Sequence, residues 1–206
     1  MLTDEEFERY LDDLKLDASS RHFISGIRTS PPARAVGEVR IHNVSGTLFS
    51  NKTNSTMQYE SRTVEALFAW DAEYEREILE YYDQPVTVTI DITDKRGRCN
   101  RTTYTPDYVV FRRSGIIFYE LKPGSELAKL VAKRPVDWVQ EGDIYHYRPA
   151  ESAFGRLGFT HEVVVAESLS QKRAHNIRLL LKSRQKAITP AESKKLDRLV
   201  KHVERY

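Results

Sequence analysis

The stretch RTTYTPDYVVFRRSGIIFYELKPGSELAKL, residues 101–130, decides how the rest of the chain is read. Tyr108, Val109, Val110 and Phe111 make its first half a strand, expected over Thr102–Phe111, because aromatic and β-branched side chains suit a pleated, half-buried surface. Ser114-Gly115 turns the chain. Ile116–Leu121 follows as another strand, and Lys122-Pro123-Gly124 ends it, since proline has no N–H to offer a ladder. Ser125–Lys133 then reads as a short helix. Three charged residues stand inside this apolar frame. Asp107 follows Pro106 in the first strand. Glu120 and Lys122 sit two apart at the end of the second, so they share a face. Pairing across Ser114-Gly115 brings Asp107 towards Glu120 at the outer ends of both strands.

Upstream, Pro85 opens VTVTIDIT, residues 86–93, whose alternation reads as a strand with one buried face. DKRGR, residues 94–98, reads as a hairpin turn. From Ser61 to about Glu75 a helix is expected, with Val64, Leu67 and Phe68 on one side. Residues 25–58 are rich in Ser, Thr, Asn, Gly and Pro and read as an extended arm around a weak strand, Val36–Val44. Residues 3–16 form a short amphipathic helix, in which Thr3 and Glu6 resemble a capping box. Downstream, Pro149–Leu157 reads as a helix closing at Gly158. HEVVVAE, residues 161–167, is a continuous apolar strand of the kind buried inside a mixed sheet. Ser170–Lys186 and Pro190–Arg205 are helical, the latter capped by Thr189. The order predicts an α/β mixed sheet flanked by helices, with a short helical C-terminal extension. The expected organisation is an acidic helix and arm over 1–58, a core over 59–169, and a basic helical region over 170–206.

At 206 residues and 40% hydrophobic content the chain can build a real core. Its net charge of +2 hides an asymmetry: the first seventeen residues hold seven acids and two bases, whereas from Gln171 onward eleven Lys/Arg face three Asp/Glu. A basic tail suits nucleic acid or an acidic partner surface. The single cysteine, Cys99, excludes a disulfide framework and a cysteine metal site. No signal-peptide core and no membrane-length apolar run is present, so a cytoplasmic location is expected. The sequons at Asn43, Asn51, Asn54 and Asn100 then mean nothing as glycosylation sites. No glycine-rich phosphate loop exists to use ATP. His146 and His161 are isolated and read as structural, as no His pair has zinc spacing. Trp70, Trp138, Tyr119, Tyr145 and Tyr147 read as packing residues.

Two carboxylates and a lysine in one small volume carry chemistry. Carboxylates repel unless something positive lies between them. Mg2+ (or Mn2+) is a natural filler, because it prefers oxygen ligands and accepts one or two carboxylates plus water and phosphate. Such a site activates water against a phosphodiester. Lys122 can orient or deprotonate that water, or neutralise the charge that develops. The helix upstream offers Glu60 and Glu65 as further acids. The competing reading of Glu120 and Lys122 is a plain salt bridge. Lys95, Arg96, Arg98 and Arg101 in the hairpin turn, and Lys129, Lys133 and Arg134 on the helix after the site, can grip DNA phosphates or merely face solvent.

The segments SGTLFSNKTNSTMQYESRTVEALFAWD, YYDQPVTVTI at 81–90, YTPDYVVF at 104–111, IIFYELKPGSEL at 116–127 and FTHEVVVAESL at 159–169 together resemble the TnsA endonuclease subunit of heteromeric, Tn-seven-like transposases. That family belongs to the PD-(D/E)xK restriction-endonuclease-like nucleases. The resemblance runs from about Gly46 to Leu181. It implies that Glu65 is the helix acid, with Glu60 the runner-up. It also implies that Asp107 and Glu120 join Glu65 in holding metal, that Lys122 is the catalytic lysine, and that Gln84 lines the site. The implied activity is a nick on the 5′, non-transferred strand at transposon ends. The implied partners are DNA, the transposase subunit TnsB, and the AAA+ regulator TnsC, contacted through the C-terminal region. The acidic N-terminal helix has no counterpart in that pattern, and Pro190–Tyr206 supplies about one helix of the longer C-terminal domain that larger members carry. A stand-alone phage or repair nuclease, or a DNA-binding scaffold with a decayed nuclease fold, are the alternatives.

Overall fold

The computed structural model describes residues 1–34, 46–59, 64–94, 96–184 and 194–195. Helices α1 (Asp4–Asp13) and α2 (Ala18–Thr29) come first, followed by strands β1 (Gly46–Ser50) and β2 (Ser55–Tyr59), helix α3 (Glu65–Tyr74) and strand β3 (Ile78–Asp83). Next come β4 (Val88–Thr93), β5 (Cys99–Tyr104), β6 (Tyr108–Arg112), β7 (Gly115–Lys122) and helix α4 (Gly124–Lys133). The described part closes with β8 (Trp138–Glu141), β9 (Ile144–Tyr147), α5 (Arg148–Gly155), β10 (Thr160–Val165) and α6 (Gln171–Arg184).

The central sheet has the order β10-β7-β6-β3. Strands β3, β6 and β7 are antiparallel neighbours, and β10 adds to β7 in parallel. Side chains alternate across this sheet. On one face Val109, Phe111, Ile116 and Phe118 pack with Phe7 and Leu11 of α1, Ile24 and Ile27 of α2, Leu127 of α4 and Phe154 of α5. On the other, Tyr108, Val110, Tyr119 and Leu121 pack with Phe68 and Ala69 of α3 and with Leu48 and Met57 of the β1–β2 hairpin. A mixed sheet between two helical layers is the expected α/β arrangement, consistent with a restriction-endonuclease-like fold.

Buried polar ties lock the outer pieces on. Thr3 and Glu6 form the capping box of α1 that the sequence suggested. Glu80 of β3 is fully buried and accepts the Leu2 N–H at 2.7 Å, the Tyr82 hydroxyl at 2.6 Å and Arg28 Nε at 3.2 Å. Arg28 also lies 4.4 Å above the Phe7 ring. The acidic N-terminal helix is thereby part of the core. On the opposite face Glu73 accepts from Ser50 Oγ at 2.7 Å, the Asn51 N–H at 2.9 Å and the Tyr81 hydroxyl at 3.0 Å. The Lys52 ammonium donates to the carbonyls of Ala72, Glu75 and Ile78, capping the end of α3.

Several expectations are corrected. The single strand Thr102–Phe111 is two strands, β5 and β6, in different sheets; Pro106 cannot donate to a ladder and the path breaks there. VTVTIDIT pairs only with β5, outside the central sheet, whereas ILEYYD, residues 78–83, supplies its edge strand β3. HEVVVAE lies at the sheet's other edge and is only half-buried. Where composition suggested an extended arm, the described residues fold into α2 and the β1–β2 hairpin; Val36–Val44 and most of Pro190–Arg205 lie outside the described residues. Strands β8 and β9 were not foreseen. Helices α3, α4, α5 and α6 fall within the segments expected to be helical, and Gly158, at φ +77°, closes the turn after α5. Among the described residues, no helix is long and apolar enough to cross a membrane.

Candidate active site

The β6–β7 register pairs Tyr108 with Tyr119, so the next step sets Asp107 beside Glu120. The backbone of Asp107 already bonds as part of the ladder although it lies one residue before β6. Its N–H donates to the Tyr119 carbonyl at 2.9 Å, and its carbonyl accepts the Gln84 N–H at 2.9 Å. Its side chain turns back, and Oδ2 accepts the Leu121 N–H at 2.8 Å. By strand parity Glu120 and Lys122 project from the face that carries Phe118. The approach expected from Ser114-Gly115 is therefore what the fold provides.

Glu120 is buried, and both its oxygens have donors. Lys122 Nζ lies 2.7 Å from Oε1, and the Tyr104 hydroxyl donates to Oε2 at 2.6 Å. Lys122 Nζ is also 3.7 Å from Glu126 of α4. Burial pushes the Asp107 carboxyl well above the usual carboxylate range; the charges of Glu120 and Glu65 add to this, and the Leu121 N–H opposes it. For Lys122 burial works downward but is outweighed by Glu120, Asp107 and Glu126, and the ammonium is held above its ordinary range.

Glu65 opens α3, which packs on the other face of the sheet, and its carbonyl accepts the Tyr108 hydroxyl at 3.4 Å. Its charge is felt at Asp107, but among the described residues it does not join Asp107 and Glu120 in one metal-holding group. Glu60 lies outside the described residues. Gln84 is buried at φ +43°, its backbone against Asp107, and its side-chain oxygen has no hydrogen-bond partner among the described residues. Among the described residues no three or more His, Cys, Asp or Glu side chains form a group able to hold an ion by themselves. A hard cation needs only one or two carboxylates when water and a phosphate complete its shell. Asp107 and Glu120, set side by side with the charge of Glu120 raising the cost of ionising Asp107, are the pair whose chemistry fits one.

Of the candidate DNA contacts, Lys95 lies outside the described residues. Arg98 pairs with Asp94 at 2.8 Å and Arg101 with Asp91 at 3.4 Å along the exposed β4–β5 ribbon, with Arg96 at its tip. Lys129 and Lys133 are exposed on α4. Arg134 is committed to buried Asp137 at 2.5 Å. His161 is not isolated: its Nε2 lies 2.9 Å from the Tyr104 hydroxyl. Its neighbourhood was invisible in the sequence because Tyr104, Glu120 and His161 come from three strands. Trp138 stacks on Tyr147 with centroids 4.3 Å apart, as a core residue should.

Residues 75–154 match the family described as TnsA-like endonuclease N terminal. This segment is a TnsA-like endonuclease domain. No curated protein matches the chain. The matched segment runs from Glu75, just after α3, to Phe154 in α5, and so contains Gln84, Asp107, Glu120 and Lys122. Glu65 lies upstream of it, on α3, which packs against the other face of the sheet. Tyr104 also lies inside the matched segment, whereas His161 follows it on β10.

Proposed function

We propose that the protein is the DNA endonuclease subunit of a transposase, cutting the 5′, non-transferred strands at transposon ends by phosphodiester hydrolysis with Mg2+ or Mn2+. The observation that carries this reading is Asp107 set beside Glu120, with Lys122 2.7 Å from Glu120, inside a TnsA-like segment. Asp107 and Glu120 would hold the cation, and Glu65, whose charge acts on Asp107, is the third carboxylate proposed to join them. When bound, it supplies Lewis-acid stabilisation of the attacked phosphate and lowers the cost of deprotonating water. Lys122 stays protonated, because its neighbours hold its pKa up, and its role is to neutralise charge developing on the phosphate. Lys129 and Lys133, with Arg96 and Arg98 on the ribbon, flank the duplex by contacts to phosphates. The transposase subunit TnsB and the regulator TnsC are the proposed partners, TnsC through the basic C-terminal region, in the cytoplasm.

The test is cleavage of an end-bearing duplex with Mg2+ by the chain with TnsB, with calorimetric Mn2+ titration alongside. Asp107→Asn and Lys122→Met are expected to lower cleavage by a factor on the order of 100 or more, and Asp107→Ala to abolish Mn2+ binding. Cleavage by the chain alone supports a stand-alone nuclease. Absence of both metal binding and cleavage in the wild-type chain leaves a salt-bridged scaffold.

A further inference from the structure

Tyr104 is the hinge of a hydrogen-bonded chain linking three strands. Its hydroxyl lies 2.6 Å from Glu120 Oε2 and 2.9 Å from His161 Nε2. A phenol has one hydrogen. The carboxylate, already paired with Lys122, can only accept, so the phenol donates to Glu120. Its oxygen must then accept from His161, which puts the imidazole proton on Nε2. Nδ1 is left as a bare acceptor, and it is buried with no hydrogen-bond partner among the described residues. His161 itself is 5% exposed. A buried nitrogen without a partner is costly, and a protein that only needed to fill this volume has cheaper apolar side chains for it.

The pair is caged. Phe154 lies parallel to the His161 ring at 5.9 Å. Tyr147 meets Tyr104 edge-on at 5.4 Å and is itself backed by Trp138. The β8–β9 hairpin and α5 thus form the wall that fixes where the phenol points.

We propose that Tyr104 and His161 are positioning residues for Glu120: the imidazole orients the phenol, and the phenol fixes the carboxylate beside Asp107. The proposal rests on the reading of Glu120 as a metal-holding residue. Such outer partners of a carboxylate ligand set its orientation, and losing one lowers metal affinity or activity by about 10- to 100-fold.

The experiment uses the full chain. Nitrogen-resolved NMR without metal is expected to show a protected His161 proton on Nε2 and an unprotonated Nδ1, with the protection lost in Tyr104→Phe. Calorimetric Mn2+ titration is expected to show about 10-fold or greater weakening in Tyr104→Phe. His161→Leu should weaken binding as well. His161→Gln, whose amide N–H reaches to where Nε2 lies, should restore it to within about twofold, which simple loss of packing does not predict. The double variant Tyr104→Phe/His161→Leu should be no worse than Tyr104→Phe alone, because both act through one contact. If Tyr104→Phe does not fold, the two His161 variants carry the same comparison. Wild-type affinity in Tyr104→Phe or in His161→Leu, or a proton on Nδ1 in the wild type, overturns the proposal while leaving the nuclease reading intact. A wild-type chain that binds no Mn2+ overturns the metal reading of Glu120 and this role with it.

Discussion

Replacing His161 by glutamine should flatten the acid limb of the stability curve, and the size of the effect follows from burial. The imidazole is 5% exposed, and burial alone pushes its pKa from an ordinary 6.5 down to about 3. The folded state therefore refuses a proton that the unfolded chain takes up. Between these two values the unfolded chain binds more protons, so stability rises with pH across the window and is lost as pH falls through it. One proton corresponds to about 1.4 kcal/mol per pH unit, so lowering the pH from about 7 to about 5 costs roughly 2 kcal/mol from this residue alone. His161→Gln has nothing to titrate there. Urea unfolding of both proteins without divalent metal, at matched ionic strength, should show the wild type losing about 2 kcal/mol more than the variant over that interval. Carboxylates titrate in both proteins and cancel in the difference. Parallel loss of stability in the two would refute the account of His161 as a buried neutral imidazole.

Two further predictions concern buried charge elsewhere. Arg28→Ala leaves the Glu80 carboxylate at the centre of β3 without its cation and should lower unfolding free energy by about 3–5 kcal/mol, read from the urea midpoint. Asp83 is buried at the end of β3 and accepts the Gln58 N–H at 3.0 Å; burial raises its pKa above the ordinary carboxylate value, with the Gln58 N–H opposing. The folded state then holds a proton where the unfolded chain has released it, so stability falls as pH climbs through the window above the ordinary value. Asp83→Asn keeps the acceptor for Gln58 and removes the titration, so its Tm should exceed or equal the wild-type value at neutral pH and show a smaller decline from mildly acid to neutral conditions.

The candidate pair was legible because strand parity and one short turn are local rules. Glu120 and Lys122 two apart at a strand end, and Asp107 across Ser114-Gly115, needed nothing beyond the pleat. Helices α1 and α3 were legible from periodicity, and α4, α5 and α6 from the segments left between strands and turn residues. What failed depended on distant partners. ILEYYD alternates poorly, because Glu80 is buried by Arg28, a residue of α2 that compensates it from far along the chain. The β1–β2 hairpin is Ser/Thr/Asn-rich because its polar groups are spent on Glu73 and on the carbonyls at the end of α3. His161 looks isolated in sequence because its partner Tyr104 comes from β5, a strand of another sheet 57 residues earlier. Glu65 was reached only through the family resemblance; nothing local separates it from Glu60.

The break at Pro106 explains why these rules met at one place. Had β5 run straight into β6, the register that pairs Tyr108 with Tyr119 would carry Tyr104 to a position opposite Pro123, beyond the end of β7. That is three residues past Glu120, roughly 10 Å along the strand, and too far for a phenol to reach its carboxylate. Proline ends the ladder at 106, so β5 leaves the central sheet to pair with β4. Asp107 nevertheless keeps its backbone bonds to Tyr119 and Gln84, so the carboxylate remains in register while the segment before it is free to turn. One residue without an N–H thus does two things: it leaves Asp107 facing Glu120, and it brings Tyr104 back over the same carboxylate from the side of the β8–β9 wall. A Pro-Asp pair entering an interior strand of a mixed sheet is a way to bring an acid and its supporting shell to one point from strands of different sheets.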